Sequence, residues 1–111
     1  MGVSSGAINS TYQKNRVENL CERLGMVSLA YLWEWEPINL LNSMVEAKID
    51  AILIKVASYG LGKKELGKGI AELKDHLFKL RETHGIHSCG EGGEFESLVL
   101  DCPIYSKRIE M

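Results

Sequence analysis

The sequence predicts an α/β fold with a partly parallel sheet covered by helices and a hairpin at one edge near the C-terminus. Segments with helical apolar spacing alternate with short β-branched runs along the chain, an order typical of parallel strands joined by helices. Two strand-like segments, 95–100 and 104–109, then follow one another with a turn between them. This arrangement favours an edge hairpin.

The first predicted helix covers residues 11–24. Ser10 and Gln13 have the spacing of a capping box, in which side chains satisfy free backbone amides at the start of a helix. Gly25 follows the last apolar position and tolerates the left-handed conformation that ends many helices. A short apolar run at 27–31 then predicts the first strand.

Two more helices and a second strand are predicted in the middle of the chain. Pro37 suits the first turn of a helix, where its missing N–H costs nothing. The β-branched run at 51–56 predicts a strand that is covered on both faces. Residues 58–68 are polar and rich in glycine, which predicts a loop, and leucines at helical spacing predict a helix over 70–84.

The composition indicates one globular domain and excludes several classes of function. Of the 111 residues, 45% are apolar and 25% are charged, so a core can form. The net charge of −2 argues against a large positively charged surface that binds nucleic acid. No apolar run approaches the roughly 20 residues that are needed to cross a bilayer. There is no signal-peptide pattern and the cysteine count is odd, so we expect a cytoplasmic protein without nucleic-acid or membrane partners.

Two weaker motifs are better explained without a ligand. The spacing Gly62-x-x-x-x-Gly67-Lys68 is close to that of a phosphate-binding loop, but Gly69 stands where that loop needs a hydroxyl group for magnesium. We therefore predict a basic loop before a helix. Four zinc-type residues lack the spacing of a zinc site, and we predict no metal centre among them: His84, His87, Cys89 and Cys102.

The best candidate site is the acidic run at 90–96, which has the sequence Gly90-Glu91-Gly92-Gly93-Glu94-Phe95-Glu96. Clustered carboxylates repel one another unless they are solvated, paired with a cation or partly protonated. Glycine also lets the backbone approach a ligand closely. Such a loop can hold a cationic group, coordinate magnesium or supply a general base, whereas a solvated acidic turn is the alternative without a function.

Together these segments resemble the diphthine–ammonia ligase family. The resemblance runs in order over nearly the whole chain, and its most specific part is the Glu-Gly-Gly-Glu-aromatic-Glu block at 91–96. The matching motifs include Gly6-Ala7-Ile8-x-Ser10-x-Tyr12-Gln13-x-x-Arg16-Val17-Glu18, Leu29-Ala30-Tyr31-Leu32-Trp33, Ala51-Ile52-Leu53-Ile54-Lys55-Val56-Ala57, His87-x-Cys89-Gly90-Glu91-Gly92-Gly93-Glu94-Phe95-Glu96 and Leu100-Asp101-Cys102-Pro103.

The resemblance implies an ATP-dependent amide ligase with an adenine-nucleotide α-hydrolase-like fold of the N-type ATP pyrophosphatases. Such an enzyme uses ATP and Mg²⁺ to adenylate the carboxylate of diphthine on translation elongation factor two. Pyrophosphate leaves, and ammonia then displaces AMP to give diphthamide. Gly92 and Glu96 favour this branch over a cobalamin-salvage relative of the same fold.

The resemblance also implies roles for particular residues, although it assigns no catalytic residue. The substrate pocket is expected to include the acidic run, with Glu91, Gly92, Gly93, Glu94, Phe95 and Glu96. The carboxylates and the aromatic ring suit the trimethylammonium group of diphthine. Three other residues are expected to lie closer to the nucleotide: Gly6, Gln13 and Arg16. Arg16 either faces nucleotide phosphate or pairs with Glu18.

One departure from the family concerns the ATP loop, a Ser-Gly-Gly-Lys-Asp-Ser block. Ser4-Ser5-Gly6 lacks its lysine and aspartate. We therefore expect residues 1–111 to form the C-terminal, substrate-binding part of a larger α/β enzyme, without the N-terminal ATP-loop domain. Alone it should be inactive and self-associate through an exposed strand edge. A free-standing ligand-binding module without catalysis and the cobalamin-salvage relative remain the alternatives.

Overall fold

The computed structural model describes residues 1–111, which divide into two units, Met1–Glu36 and Pro37–Met111. Each unit combines a two-stranded sheet with helical structure. The predicted α/β class is confirmed, with one parallel strand pair and one antiparallel pair. No helix has both the length and the apolar character needed to cross a membrane.

The N-terminal unit has a strand–helix–strand order. Its elements are β1 (Gly2–Ser4), α1 (Thr11–Leu24) and β2 (Val27–Leu29), with β1 parallel to β2. The Ser10 side chain accepts a hydrogen bond from the backbone N–H of Gln13 at 3.4 Å, and Gly25 ends the helix at a φ of +64°. The bounds of α1 are therefore as predicted. β2 is shorter than predicted, and β1 was not predicted.

The C-terminal unit combines an antiparallel strand pair with two helices. Its elements are α2 (Pro37–Glu46), β3 (Asp50–Val56), a short 3-10 helix (Lys63–Glu65), α3 (Ile70–His84) and β4 (Phe95–Asp101). β3 pairs with β4 along its length. Its other edge is partly covered, because Leu53 exchanges backbone hydrogen bonds with Gly67 and Lys68 at 2.8 and 3.0 Å.

The core of this unit lies between α3 and the strands. Leu53 on β3 and Leu77 on α3 are completely buried. The buried face of α3 is the predicted apolar stripe, Ile70, Leu73, Leu77 and Leu80. Apolar residues at this spacing lie on one side of a helix, so burying them fixes the orientation of α3 against β3.

The segment 104–109 does not form the predicted second strand of a hairpin. An antiparallel pair near the C-terminus is present, but its strands are β3 and β4. The C-terminal tail, residues 102–111, contacts β4 through a backbone hydrogen bond from the Ile109 N–H to the Leu100 carbonyl at 2.8 Å. Ile104 is 90% exposed, so this segment buries little of its apolar surface, whereas β3 offers β4 a buried partner.

A charge arrangement ties the tail to the end of the sheet. Asp50 and Asp101 lie opposite each other in the β3–β4 register, where like charges repel. The Arg108 guanidinium donates a hydrogen bond to the Asp50 carboxylate. That hydrogen bond, and after it the negative charges of Asp50 and Asp101, raise the pKa of Arg108. The positive charge of Arg108 thus offsets the repulsion between the two carboxylates.

The end of α2 provides a test of backbone strain. Lys48 has a φ of +59°, and the backbone N–H of Ile49 returns to the Met44 carbonyl at 3.1 Å, a helix end that favours glycine. We expect Lys48→Gly to raise the free energy of unfolding by about 0.5–1 kcal/mol, measured by urea denaturation. Lys48→Ala keeps the strained conformation and is the control. The interpretation is wrong if the glycine variant is no more stable than the alanine variant.

Candidate functional site

The acidic loop, residues 90–96, connects the segment after α3 to β4 through two consecutive turns. The backbone N–H of Gly90 donates to the His87 carbonyl at 2.9 Å, and the N–H of Gly93 donates to the Gly90 carbonyl at 3.1 Å. These hydrogen bonds are made within the chain. The loop is therefore ordered by its own backbone before any ligand contributes.

The loop conformation requires its glycines. Gly90 and Gly93 have φ values of +74° and +85°, in the left-handed region that glycine adopts at little cost. A Cβ atom on Gly90 would lie 2.9 Å from the Phe95 ring. A Cβ atom on Gly92 would lie 2.2 Å from Glu94 Oε1. The glycines thus allow the backbone to approach both neighbouring side chains.

Glu94 holds the loop together from within. Its Oε2 accepts a hydrogen bond from the N–H of Gly92 at 3.1 Å, and its Oε1 accepts one from the N–H of His87 at 3.3 Å. Its own carbonyl accepts from the N–H of Ala57 at 2.8 Å. Hydrogen bonds to a carboxylate are stronger than those between neutral groups. This predicted site residue therefore shapes the loop.

Phe95 and Glu96 begin β4 and have opposite environments. The Phe95 ring is buried in the core, at 7% exposure. Glu96 is exposed and accepts a hydrogen bond from Lys55 Nζ at 2.7 Å, across the strand pair. Because successive side chains of a strand point to opposite faces, the same strand anchors the loop in the core and presents one carboxylate on the surface.

Glu91 lies beside a histidine that precedes the loop. The two side chains are mostly buried, and Glu91 Oε2 is 3.8 Å from His87 Nε2. The N–H of Cys89 donates to His87 Nδ1 at 3.2 Å. Because Nδ1 accepts this hydrogen bond, the single ring proton of a neutral imidazole lies on Nε2. His87 Nε2 has no hydrogen-bond partner.

The structure thus brings the predicted substrate residues into one loop but gives its three carboxylates different environments. Glu94 bonds backbone amides, Glu96 bonds a lysine, and Glu91 lies beside His87. The sequence places His87 in the matching motif and among the zinc-type residues, but does not indicate that it lies beside Glu91. No group of three or more His, Cys, Asp or Glu side chains in residues 1–111 is placed to hold a metal ion.

The glycine–lysine loop before α3 is not a phosphate cradle. The N–H of Gly67 donates to the Leu53 carbonyl at 2.8 Å, and the N–H of Lys68 donates to the Glu65 carbonyl at 3.2 Å. The N–H of Gly62 donates to Glu65 Oε2 at 2.7 Å. A phosphate needs these amides as donors, but the chain already uses them. The buried Glu65 carboxylate organises this turn, a role that the sequence did not indicate.

The three residues predicted near the nucleotide are exposed on the N-terminal unit: Gly6, Gln13 and Arg16. The Arg16 guanidinium lies over the Tyr12 ring, 5.2 Å from its centroid. Glu18 pairs with Lys14 at 2.5 Å, and not with Arg16. An open groove of about 510 Å³ follows this helix and is lined by Tyr12, Asn15, Arg16, Val17, Asn19, Leu20 and Arg23.

Removing the Glu94 carboxylate should loosen the acidic loop. We expect Glu94→Ala to lower the free energy of unfolding by about 1.5–3 kcal/mol, because two amides lose a charged acceptor. The amides of His87 and Gly92 should then exchange with solvent faster. Glu96→Ala is the matched control, since it removes only an exposed ion pair worth about 0.2–1 kcal/mol. Equal effects of the two variants, by urea denaturation and hydrogen exchange, would contradict this role.

Comparison with known proteins identifies the family of this chain. The sequence pattern described as "Diphthamide synthase C-terminal domain" matches residues 36–111. A diphthine–ammonia ligase of Schizosaccharomyces pombe is 57% identical over 107 residues, covering 96% of this chain and 18% of that relative.

Two vertebrate relatives give the same result. A diphthine–ammonia ligase of Danio rerio is 52% identical over 109 residues, covering 97% of this chain and 43% of that protein. A diphthine–ammonia ligase of Homo sapiens is 48% identical over 109 residues, covering 97% and 41%. The chain thus spans less than half the length of these relatives. The match to residues 36–111 shows that this chain belongs to the diphthamide synthase family, through its C-terminal domain.

Proposed function

We propose that this chain is the substrate-binding part of a carbon–nitrogen ligase that amidates diphthine on translation elongation factor two. The observation that carries the proposal is the family match over residues 36–111, which contains the whole acidic loop. The relatives are named diphthine–ammonia ligases, and those words give the two molecules to be joined. In this proposal the complete ligase acts in the cytoplasm and uses ATP.

The chemistry explains why such a ligase uses ATP. A carboxylate is a poor acyl donor because it has no good leaving group. Adenylation of the diphthine carboxylate releases pyrophosphate and supplies AMP as the leaving group. Ammonia then forms the C–N bond and AMP departs, which gives diphthamide. No three His, Cys, Asp or Glu side chains of this chain converge on a metal site, so we assign no metal-dependent step to its residues.

In this proposal the acidic loop recognises the diphthine side chain. Its trimethylammonium group has no N–H to donate, so negative charge and close contact must hold it. Glu91 and Glu96 contribute charge toward the substrate, while Glu94 and the buried Phe95 keep the loop in shape. Gly92 and Gly93 are exposed and allow the substrate to approach the backbone.

We assign the groove along α1 to the nucleotide side of the reaction. Arg16 and Arg23 place two guanidinium groups at this groove, and a guanidinium can bind phosphate with two parallel hydrogen bonds. The stacking of Arg16 on Tyr12 supports the assignment because it holds the planar group in one orientation. Gly6 and Gln13 belong to the same unit and complete this nucleotide-proximal set.

The test uses a hybrid ligase, in which this chain replaces the matching 107 residues of the S. pombe relative. The substrate is elongation factor two from cells that lack the ligase, and mass spectrometry follows ATP-dependent amidation. We expect Glu91→Gln and Glu94→Gln each to lower kcat/KM for this substrate at least about tenfold, or about 1.4 kcal/mol. The KM for ATP should not change.

Glu82→Gln is the control, because it neutralises an exposed carboxylate on α3 outside the loop. It should leave every kinetic parameter unchanged. The proposed function is wrong if the unaltered hybrid makes no diphthamide. The assignment of the acidic loop is wrong if both loop variants retain the full amidation rate.

A further inference from the structure

His87 contacts the acidic loop, and Cys89 just before it, through both its backbone and its ring. Its backbone N–H donates to Glu94 Oε1 at 3.3 Å, and its carbonyl accepts from the N–H of Gly90 at 2.9 Å. Its ring accepts from the N–H of Cys89 at Nδ1, and Nε2 lies 3.8 Å from Glu91 Oε2. The shape of the loop is therefore linked to the state of this ring.

The surroundings of the ring make a change of its charge effective. The His87 and Glu91 side chains are only 16% and 14% exposed, so water screens their interaction weakly. The other titratable groups beside His87 are Glu94, at its backbone N–H, and the Cys89 thiol. That thiol donates to the carbonyl of Pro37 on α2 at 3.4 Å, which holds Cys89 in place.

Protonation of the ring removes the hydrogen bond from Cys89. Histidine ordinarily changes its charge between about pH 5 and pH 8. The neutral ring carries its proton on Nε2, so an added proton takes the lone pair of Nδ1. This lone pair is the one that accepts the Cys89 N–H. In the imidazolium, two donors would therefore face each other across a contact that is 3.2 Å in the neutral form.

The same proton changes the charge beside the loop. The neutral ring adds no charge to the Glu91 carboxylate, whereas an imidazolium at 3.8 Å forms an ion pair with it. The two side chains together then have no net charge and attract a cation less. Loss of the Cys89 hydrogen bond and loss of negative charge act in the same direction, since both weaken a loop that recognises a cation.

We propose that neutral His87 positions the acidic loop for the trimethylammonium group of the substrate and that protonation of Nδ1 weakens the binding of this group. The inference rests on the proposed function, because it concerns the same loop and the same cationic side chain. His87 is a positioning residue, since it acts through Cys89 and Glu91. Recognition of the substrate therefore weakens as the pH falls and this ring takes up a proton.

The positioning role is tested on this chain by NMR of ¹⁵N-labelled imidazole and amide groups. At about pH 8 the His87 ring should be neutral with its proton on Nε2. As the pH falls, the Cys89 amide should shift with the same midpoint as the ring and exchange with solvent faster. A neutral ring with its proton on Nδ1, or a Cys89 amide that does not follow the ring, overturns the proposal.

His87→Asn is the matched variant for this titration. The side-chain oxygen of asparagine can accept from the Cys89 N–H as Nδ1 does, but the amide group does not titrate. The Cys89 amide should therefore keep its position between about pH 6 and pH 8 in this variant. A transition of the same size and midpoint in His87→Asn would contradict the proposal, because a different group would then cause it.

The hybrid ligase measures the effect on substrate recognition, with neutral ammonia kept at one concentration. In the unaltered hybrid, the KM for elongation factor two should be about tenfold higher at about pH 6 than at about pH 8. In His87→Asn this KM should be nearly the same at both pH values. The kcat and the KM for ATP should differ less than about twofold between the two proteins at either pH.

His84→Asn is the control, because this exposed histidine ends α3 and its ring bonds the Thr83 hydroxyl. It should keep the pH dependence of the unaltered hybrid. An unaltered hybrid that makes no diphthamide contradicts the proposed function, and the NMR titration then still decides the role of His87. An active hybrid whose KM for elongation factor two has the same pH dependence as in His87→Asn contradicts the proposal for His87 alone.

Discussion

The pairing of β3 with β4 is the interaction on which the rest of the C-terminal unit depends. The ladder ends with Val56 opposite Phe95, and the next hydrogen bond, from Ala57 N–H to the Glu94 carbonyl, continues it into the acidic loop. Because Phe95 is also buried in the core, apolar packing fixes the place where the acidic loop joins β4. Burial of apolar side chains thus positions a polar loop whose charged groups lie outside the core.

The elements that could be predicted from the sequence are those specified by local chemistry. α1 has the predicted bounds because Ser10 satisfies an amide at its start and Gly25 adopts the left-handed conformation at its end. The pairing of β4 could not be predicted in the same way. β3 and the segment 104–109 are both plausible partners in sequence, and burial against α3, a long-range effect, decides in favour of β3.

The candidate site shows the same division between local and long-range information. The composition of residues 90–96 indicated a glycine-rich loop whose backbone can approach a ligand, and in the structure this backbone approaches the Phe95 ring and the Glu94 carboxylate. The sequence could not indicate that Glu94 turns back onto the loop amides, since that depends on the path of the two turns.

Position 92 links the backbone of the loop to its distribution of charge. A side chain there would begin 2.2 Å from Glu94 Oε1, so the carboxylate would have to leave the amides that it now bonds. A single codon change would thereby turn a carboxylate that shapes the loop into one that faces solvent, while the strand pair beneath stayed intact. The glycine at position 92 therefore decides whether this negative charge is used inside the loop or presented at its surface.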